Sequence, residues 1–193
     1  GHEDADWLMG EDLYYSGGAI RSLSNPPAYG DPDNVNHPYF VPFTDNPTGS
    51  NDYGGVHSNS GIPNKAFYMM ITGGSHYGIE VPPLSQDLDE SRDIAANIWY
   101  IWNTEYLLPT DDFDIGSLAM LAVVSALYPG DSDKYNSVHH AWMSVGVAQS
   151  PVADVEWSAM YVQPETGELQ LTVELEWMFL SDVHVPILSV HGE

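Results

Sequence analysis

Cysteine is absent from the chain, so it can build no disulfide framework, no thiolate zinc site and no cysteine nucleophile. That absence does not fix the compartment. Positive charge is almost absent too: four Lys and Arg stand against 28 Asp and Glu, a formal net charge of −24. A surface of that sign repels phosphate backbones and anionic headgroups, which argues against nucleic-acid binding and against attraction to a membrane surface. Cations are the natural counterparts, and most of the carboxylates read as a solvated acidic face suited to salty surroundings. Long apolar runs are also missing. No stretch of about 18 apolar residues occurs, and the amino terminus has no basic-then-apolar pattern, so neither a membrane span nor a leader peptide is expected. The chain opens on Gly1 rather than Met, which reads as a processed or truncated product.

What is present is enough for one main domain. The 193 residues are 43% hydrophobic and 12% aromatic, sufficient to bury a core. Residues 1–59 are rich in Gly, Pro, Asn, Asp and Ser, with turn signals at Asn25-Pro26-Pro27, Gly30-Asp31-Pro32 and Asn46-Pro47-Thr48-Gly49, and read as ordered loop with one short helical turn. Helical spacing then places Ile62, Ala66, Phe67, Met69 and Met70 on a helix over 60–72, with Pro63 in its first turn and Gly73-Gly74 as its stop. Three more helices are expected at 91–107, 114–127 and 132–145; the first puts Ile94, Ile98, Ile101, Trp102 and Tyr106 on one face. After Ala148 the period changes to two: Leu169, Leu171, Val173, Leu175, Trp177 and Phe179 alternate with polar residues, which predicts a strand. Val155–Val162 reads as its partner and Val183–Val190 as a third strand.

The densest chemistry lies in Asn51-Asp52-Tyr53-Gly54-Gly55-Val56-His57-Ser58-Asn59-Ser60-Gly61-Ile62, just ahead of the first helix. Two glycines free the backbone, and Asp52 can fold back onto one ring nitrogen of His57, leaving the other aimed outward. A carboxylate favours the imidazolium and a helix amino terminus disfavours it, so the two influences oppose each other. On spacing alone the pair serves structure as readily as catalysis.

The run GGVHSNSGIPNKAFY from Gly54 to Tyr68 resembles the GGVHxNSGIxNKAxY signature of the thermolysin-like zinc metallopeptidase family. Other segments resemble that family in the same order: Asp6-Trp7-Leu8-Met9-Gly10-Glu11-Asp12, Ile20-Arg21-Ser22-Leu23-Ser24-Asn25-Pro26, Tyr29-Gly30-Asp31-Pro32-Asp33, Gly73-Gly74-Ser75-His76-Tyr77-Gly78, and Ala141-Trp142 with Val145-Gly146-Val147. The resemblance implies a mainly α fold, a small helical bundle of the thermolysin C-terminal type with long ordered N-terminal loops, over residues 1–148. Residues 149–193 would be a β-rich C-terminal extension, a hairpin or small sheet. It further implies that His57 is the catalytic donor to the oxyanion, with Asp52 orienting its ring, and that Arg21 binds the substrate carbonyl past the scissile bond. Met9, Leu13 and Ile20 would line the apolar pocket there, although as isolated residues they read as core. Asp4, Asp6 and Glu11 match carboxylates that hold calcium in the family. Leu8 stands where the family has another acid, and the remaining ligands would come from upstream, so the site is incomplete in this chain.

Zinc hydrolysis in the family needs His-Glu-x-x-His on a helix, two ligands and a general base, and a further carboxylate ligand. None of His2, His37, His57, His76, His139, His140, His184 and His191 stands in that motif. His139 and His140 point about 100° apart on a helix and cannot share a metal as an i, i+4 pair does. The expectation is therefore the C-terminal half of a secreted, extracellular zinc endopeptidase, inactive by itself, whose partners are a zinc-binding N-terminal domain and a peptide or protein substrate. The competing reading is a non-catalytic binding or structural domain derived from that fold. A calcium-dependent carbohydrate-binding module using Trp157 and Trp177 is a third reading, but alternating aromatics in a hairpin usually form its packed face.

Overall fold

The computed structural model describes residues 6–13 and 18–147 and, beyond them, the backbone of Met160–Val162 and Leu169–Leu171. Two compact units divide the chain, Gly1–Gln149 and Ser150–Glu193. The first runs β1 (Leu8–Met9), β2 (Arg21–Ser22), a four-residue turn α1 (Asp52–Gly55), α2 (Gly61–Thr72), β3 (Gly74–His76), β4 (Ile79–Val81), α3 (Leu88–Ile101), α4 (Phe113–Leu127) and α5 (Ser132–Ser144). It is mainly α-helical, and α2 to α5 form a small bundle in which α5 packs against α2, α4 and β4.

Aspartates start three of these helices. Asp87 accepts the N–H groups of Asp89 and Glu90 at 3.0 and 2.9 Å, and Asp112 and Asp131 accept those of Ile115 and Lys134 at 3.0 Å each. Side-chain caps satisfy helix donors that have no intrahelical partner, and acids there also suit the positive end of the helix dipole. Part of the chain's acidity is thus helix punctuation. It also corrects two boundaries: α3 starts at Leu88 and α4 at Phe113, ahead of the expected 91 and 114, because the caps precede the first periodic apolar residue.

The far end of α3 departs from expectation as well. Its last turn widens across Trp102–Tyr106, with the Leu107 N–H reaching the Trp102 carbonyl at 3.0 Å, a five-residue step. The extra residue in the turn rotates the positions beyond it about the helix axis, and Tyr106 faces solvent at 41% exposure instead of lying on the apolar face. Trp102 itself is buried, its indole N–H donating to the Gly116 carbonyl at 2.7 Å. A Cβ on Gly116 would stand 3.2 Å from that ring, so the missing side chain sets the α3–α4 approach.

At the centre Trp142 is fully buried among Ile62, Met70, Ile98, Met120, Val124 and Val138. Its ring stacks on Trp99 at 6.0 Å and lies 6.1 Å from Trp102, and its N–H points at the Met120 sulfur, 3.3 Å away. Burying a Trp removes roughly 150–250 Å² from water, about 4–6 kcal/mol as an upper figure.

Two short antiparallel hairpins lie on the bundle, neither anticipated from sequence. β1 pairs with β2 as Leu8↔Ser22 and Met9↔Arg21, and β3 with β4 as Gly74↔Val81, Ser75↔Glu80 and His76↔Ile79. Tyr77 and Gly78 close the second at φ 46° and 81°, the twist that a two-residue hairpin turn demands. The Trp7 ring meets Tyr68 edge-on at 5.1 Å and lies 5.6 Å from the Arg92 guanidinium, fastening the start of the first hairpin to α2 and α3. The Pro-rich loop is fastened at its other end: Val35 N–H donates to the Val145 carbonyl at 3.0 Å and Asn34 Nδ2 to that of Ser144 at 3.0 Å.

In the second unit β5 (Met160–Val162) pairs antiparallel with β6 (Leu169–Leu171), Met160↔Leu171, Tyr161↔Gln170 and Val162↔Leu169. The rest of the expected β pattern, 155–159, 172–179 and 183–190 with Trp157 and Trp177, lies outside the described residues. Among the described residues no helix is long and apolar enough to cross a membrane.

Candidate functional site

The loop that carries His57 is shaped by a left-handed turn. Asp52, Tyr53, Gly54 and Gly55 all have positive φ, at 51°, 52°, 86° and 86°. Side chains rarely tolerate this region, so the two glycines extend the turn, and Asp52 and Tyr53 accept a strained backbone. The turn brings the Asp52 carboxylate back over the residues beyond it. Oδ1 meets His57 Nδ1 at 2.6 Å, and Oδ2 accepts the N–H groups of His57 and Ser58 at 3.1 and 2.8 Å and the Ser58 hydroxyl at 2.8 Å. The Ser58 N–H, the His57 ring and the Ser58 hydroxyl hold the Asp52 carboxyl well below the usual carboxylate range. The carboxylate can only accept, so the proton on Nδ1 belongs to the histidine. Nε2 is left for solvent or a ligand, on a side chain 67% exposed.

Asn59 anchors this loop. Its Oδ1 accepts the Val41 N–H at 3.0 Å and its Nδ2 donates to the Val41 carbonyl at 2.7 Å. A Cβ on Gly55 would fall 2.3 Å from Asn59 Nδ2, so the turn and the anchor interlock. Gly61 fits similarly close, its absent Cβ lying 2.2 Å from the Pro32 carbonyl oxygen.

Arg21 comes to the same place from the β1–β2 hairpin. Its Nη1 donates to the Ser60 hydroxyl, which donates in turn to the His57 carbonyl at 2.6 Å. Arg21 and Asp52 both act electrostatically on Asp31, whose carboxyl burial pushes up, Arg21 pulls down and Asp52 raises. Among the described residues no carboxylate forms an ion pair with Arg21, whereas Arg92 pairs with Asp89 and Lys134 with Asp131, both within 2.8 Å.

Met9 stands opposite Arg21 in the strand register, so the two share a face of the hairpin. Ile20 packs over Gly10, and the Leu13 N–H closes onto the Gly10 carbonyl at 3.1 Å. None of the three belongs to the core: Met9, Leu13 and Ile20 are 47%, 70% and 43% exposed. They are apolar surface, which the core reading that each would have in isolation does not fit.

Asp6 and Glu11 are exposed, with Asp6 Oδ1 accepting the Leu8 N–H at 3.1 Å, and Asp4 lies outside the described residues. Among the described residues no three His, Asp or Glu side chains gather as a metal site. His139 is buried at the side of α5, and His140 Nδ1 lies 2.9 Å from the Glu80 carbonyl oxygen. A second polar cluster gathers His76, Asp33 and Lys65: His76 Nε2 reaches the Asp33 carbonyl at 3.1 Å, and Lys65 donates to the Ser24 carbonyl at 2.8 Å. Burial depresses both His76 and Lys65.

Sequence reasoning assigned no part to Ser58, Asn59 or Ser60. Asn59 carried a faint signal, an amide in a glycine-rich turn ahead of a helix. The two serines carried none, since serine is ordinary in such loops.

A bundle closed by a Trp-centred core, with an Asp-fixed histidine and an arginine meeting at one edge, defines the class. Residues 1–147 match the family model described as thermolysin metallopeptidase, alpha-helical domain, and the chain belongs to that family. It is 41% identical over 148 residues to bacillolysin of Brevibacillus brevis, covering 75% of this chain and 25% of that protein. It is 40% identical over 149 residues to thermolysin of Alicyclobacillus acidocaldarius, 76% of this chain and 25% of the relative. Neutral protease B of Bacillus subtilis is 35% identical over 145 residues, 74% and 24% of the two chains. The chain thus spans about a quarter of the length of these relatives.

Proposed function

We propose that this chain supplies one wall of the active-site cleft of a secreted zinc endopeptidase, with the zinc-binding wall contributed by an N-terminal domain. In this reading residues 1–148 are the helical domain with its ordered N-terminal loops, and 149–193 a separate β-rich extension. The observation that carries it is the joining of the Asp52-fixed His57 to Arg21 through Ser60, with Arg21 in ion-pair contact with no carboxylate among the described residues of a chain holding 28 Asp and Glu. A purely structural arginine in so acidic a chain would be expected to sit in an ion pair. Exposed Met9, Leu13 and Ile20 beside it suit an apolar side chain on the leaving half of a peptide.

Zinc, when bound by the partner domain, would supply an activated water to the peptide carbonyl. The residues here do the rest of the work on this side. Because Nδ1–H is committed to Asp52, Nε2 donates to a developing oxyanion only when the ring is the imidazolium; the neutral ring offers a lone pair there. Asp52, kept ionised, holds the Nδ1 proton and fixes the ring plane. Arg21 can hold a second carbonyl of the same substrate by charge-assisted hydrogen bonds. Calcium at Asp6 and Glu11 would need ligands beyond those described, and no step depends on it.

The test is made in the polypeptide that joins this chain to its zinc-binding domain, with a peptide bearing an apolar residue after the cleavage point. His57→Ala is expected to lower kcat by about 10²- to 10³-fold with the helical circular dichroism unchanged. An activity loss under threefold would refute the role of His57, and a full protein without peptidase activity would leave the non-catalytic binding domain as the better reading.

A further inference from the structure

We infer that Ser60 is a positioning residue that ties the Arg21 guanidinium to the backbone of His57, so that both groups meet a substrate as one unit. The inference rests on the reading of Arg21 and His57 as substrate-facing. Ser60 Oγ lies 2.6 Å from the His57 carbonyl oxygen, which can only accept, so the hydroxyl proton is committed there. What Oγ turns to Arg21 is lone-pair density, and a guanidinium can only donate. The direction of the relay is therefore fixed, from Arg21 to Ser60 to the carbonyl of His57, with no flipped alternative.

The surroundings hold Ser60 in place. It ends the turn Ser58–Ser60, two residues after which Ile62 is fully buried, and the next residue, Gly61, sits hard against the Pro32 carbonyl. Ser58 on the other side is held by Asp52 through both its N–H and its hydroxyl. Arg21 comes from a two-residue strand 39 positions earlier, whose own hydrogen bonds fix its backbone but not its long side chain. Ser60 supplies that missing constraint. Among the described residues no other side chain links the two halves of the site so directly.

Only two arginines occur in the chain, Arg21 and Arg92, so ¹⁵N-arginine NMR on the full chain resolves them readily. Arg92, bound to Asp89 at 2.8 Å, is the internal reference. In the wild type Arg21 should show distinct, slowly exchanging Nη signals; Ser60→Ala should collapse them and leave Arg92 unchanged, while Ser60→Thr, which keeps the hydroxyl, should retain them. In the zinc-containing full protein, Ser60→Ala should lower kcat/KM by about 10-fold, mostly through KM, the scale of one lost hydrogen bond to a charged group. In an Arg21→Ala background the same change should have less than about a twofold effect, because the two residues act as one. Unchanged Arg21 signals in Ser60→Ala, or a full tenfold loss in the Arg21→Ala background, would overturn the inference. Should the signals collapse while Arg21→Ala leaves kcat/KM intact, the fault lies with Arg21 as a substrate ligand, and the positioning role falls with it.

Discussion

Replacing Asn59 by alanine tests whether the histidine loop is held in the way described. Asn59 is 9% exposed, and its amide meets both backbone groups of Val41, at 3.0 and 2.7 Å. Alanine would leave the part-buried Val41 N–H and C=O without their side-chain partner. Each lost bond is worth about 1 kcal/mol, and more where the orphaned group stays dry, which gives ~2–3 kcal/mol for the pair. For a chain of this size that lowers Tm by about 4–12 °C. The loss should be local as well as global, because Gly55 packs directly on the Asn59 amide. Thermal melts followed by circular dichroism measure the first part; amide exchange at Val41, His57 and Ser58 measures the second. Asn59→Asp is the sharper companion, since it keeps the volume but sets a second acceptor against the Val41 carbonyl, and it should destabilise at least as much. A Tm within about 1 °C of wild type for Asn59→Ala, with exchange unaltered, would refute the anchoring role.

Trp142→Ala should cost about 3–5 kcal/mol, read from urea midpoints, because the ring is fully buried between Trp99 and Trp102; a loss below about 1.5 kcal/mol would mean that the core closes over the gap. Stability should also fall in mild acid. His76 and His139 are both depressed, by burial first, so the unfolded chain takes up protons near pH 6.5 before the folded chain does, and folding weakens as pH drops below that value. Around His76 the facing charges are Asp33 and Lys65, and His76→Gln should flatten part of the slope; equal urea midpoints at pH 8 and pH 5 for the wild type would sink the idea.

The helices are legible in the sequence because Ile62, Ala66 and Met70, or Ile94 and Ile98, repeat at the period of a helix and all lie in the core. Their starts are less so: Asp87 and Asp112 look like any other acid in this chain until their carboxylates are seen on the helix N–H groups. The hairpins escape because two or three residues per strand cannot display a period of two. At the site, the Asp52–His57 interval and the glycines between are readable, whereas the meeting of Arg21 with Ser60 joins two distant loops and leaves no local mark. Exposure of Met9, Leu13 and Ile20 is invisible to composition for the opposite reason, since apolar residues are expected inside.

The hand of the turn at Asp52–Gly55 explains why aspartate and histidine stand five positions apart. At an ordinary right-handed helix start a carboxylate reaches the N–H groups two or three residues on, as Asp87 does here. Wound the other way, the same side chain reaches five and six residues ahead, onto His57 and Ser58. The interval between the two residues is therefore a record of chirality. Inserting or deleting one residue would not merely lengthen a loop; it would present the carboxylate to the wrong side of the chain.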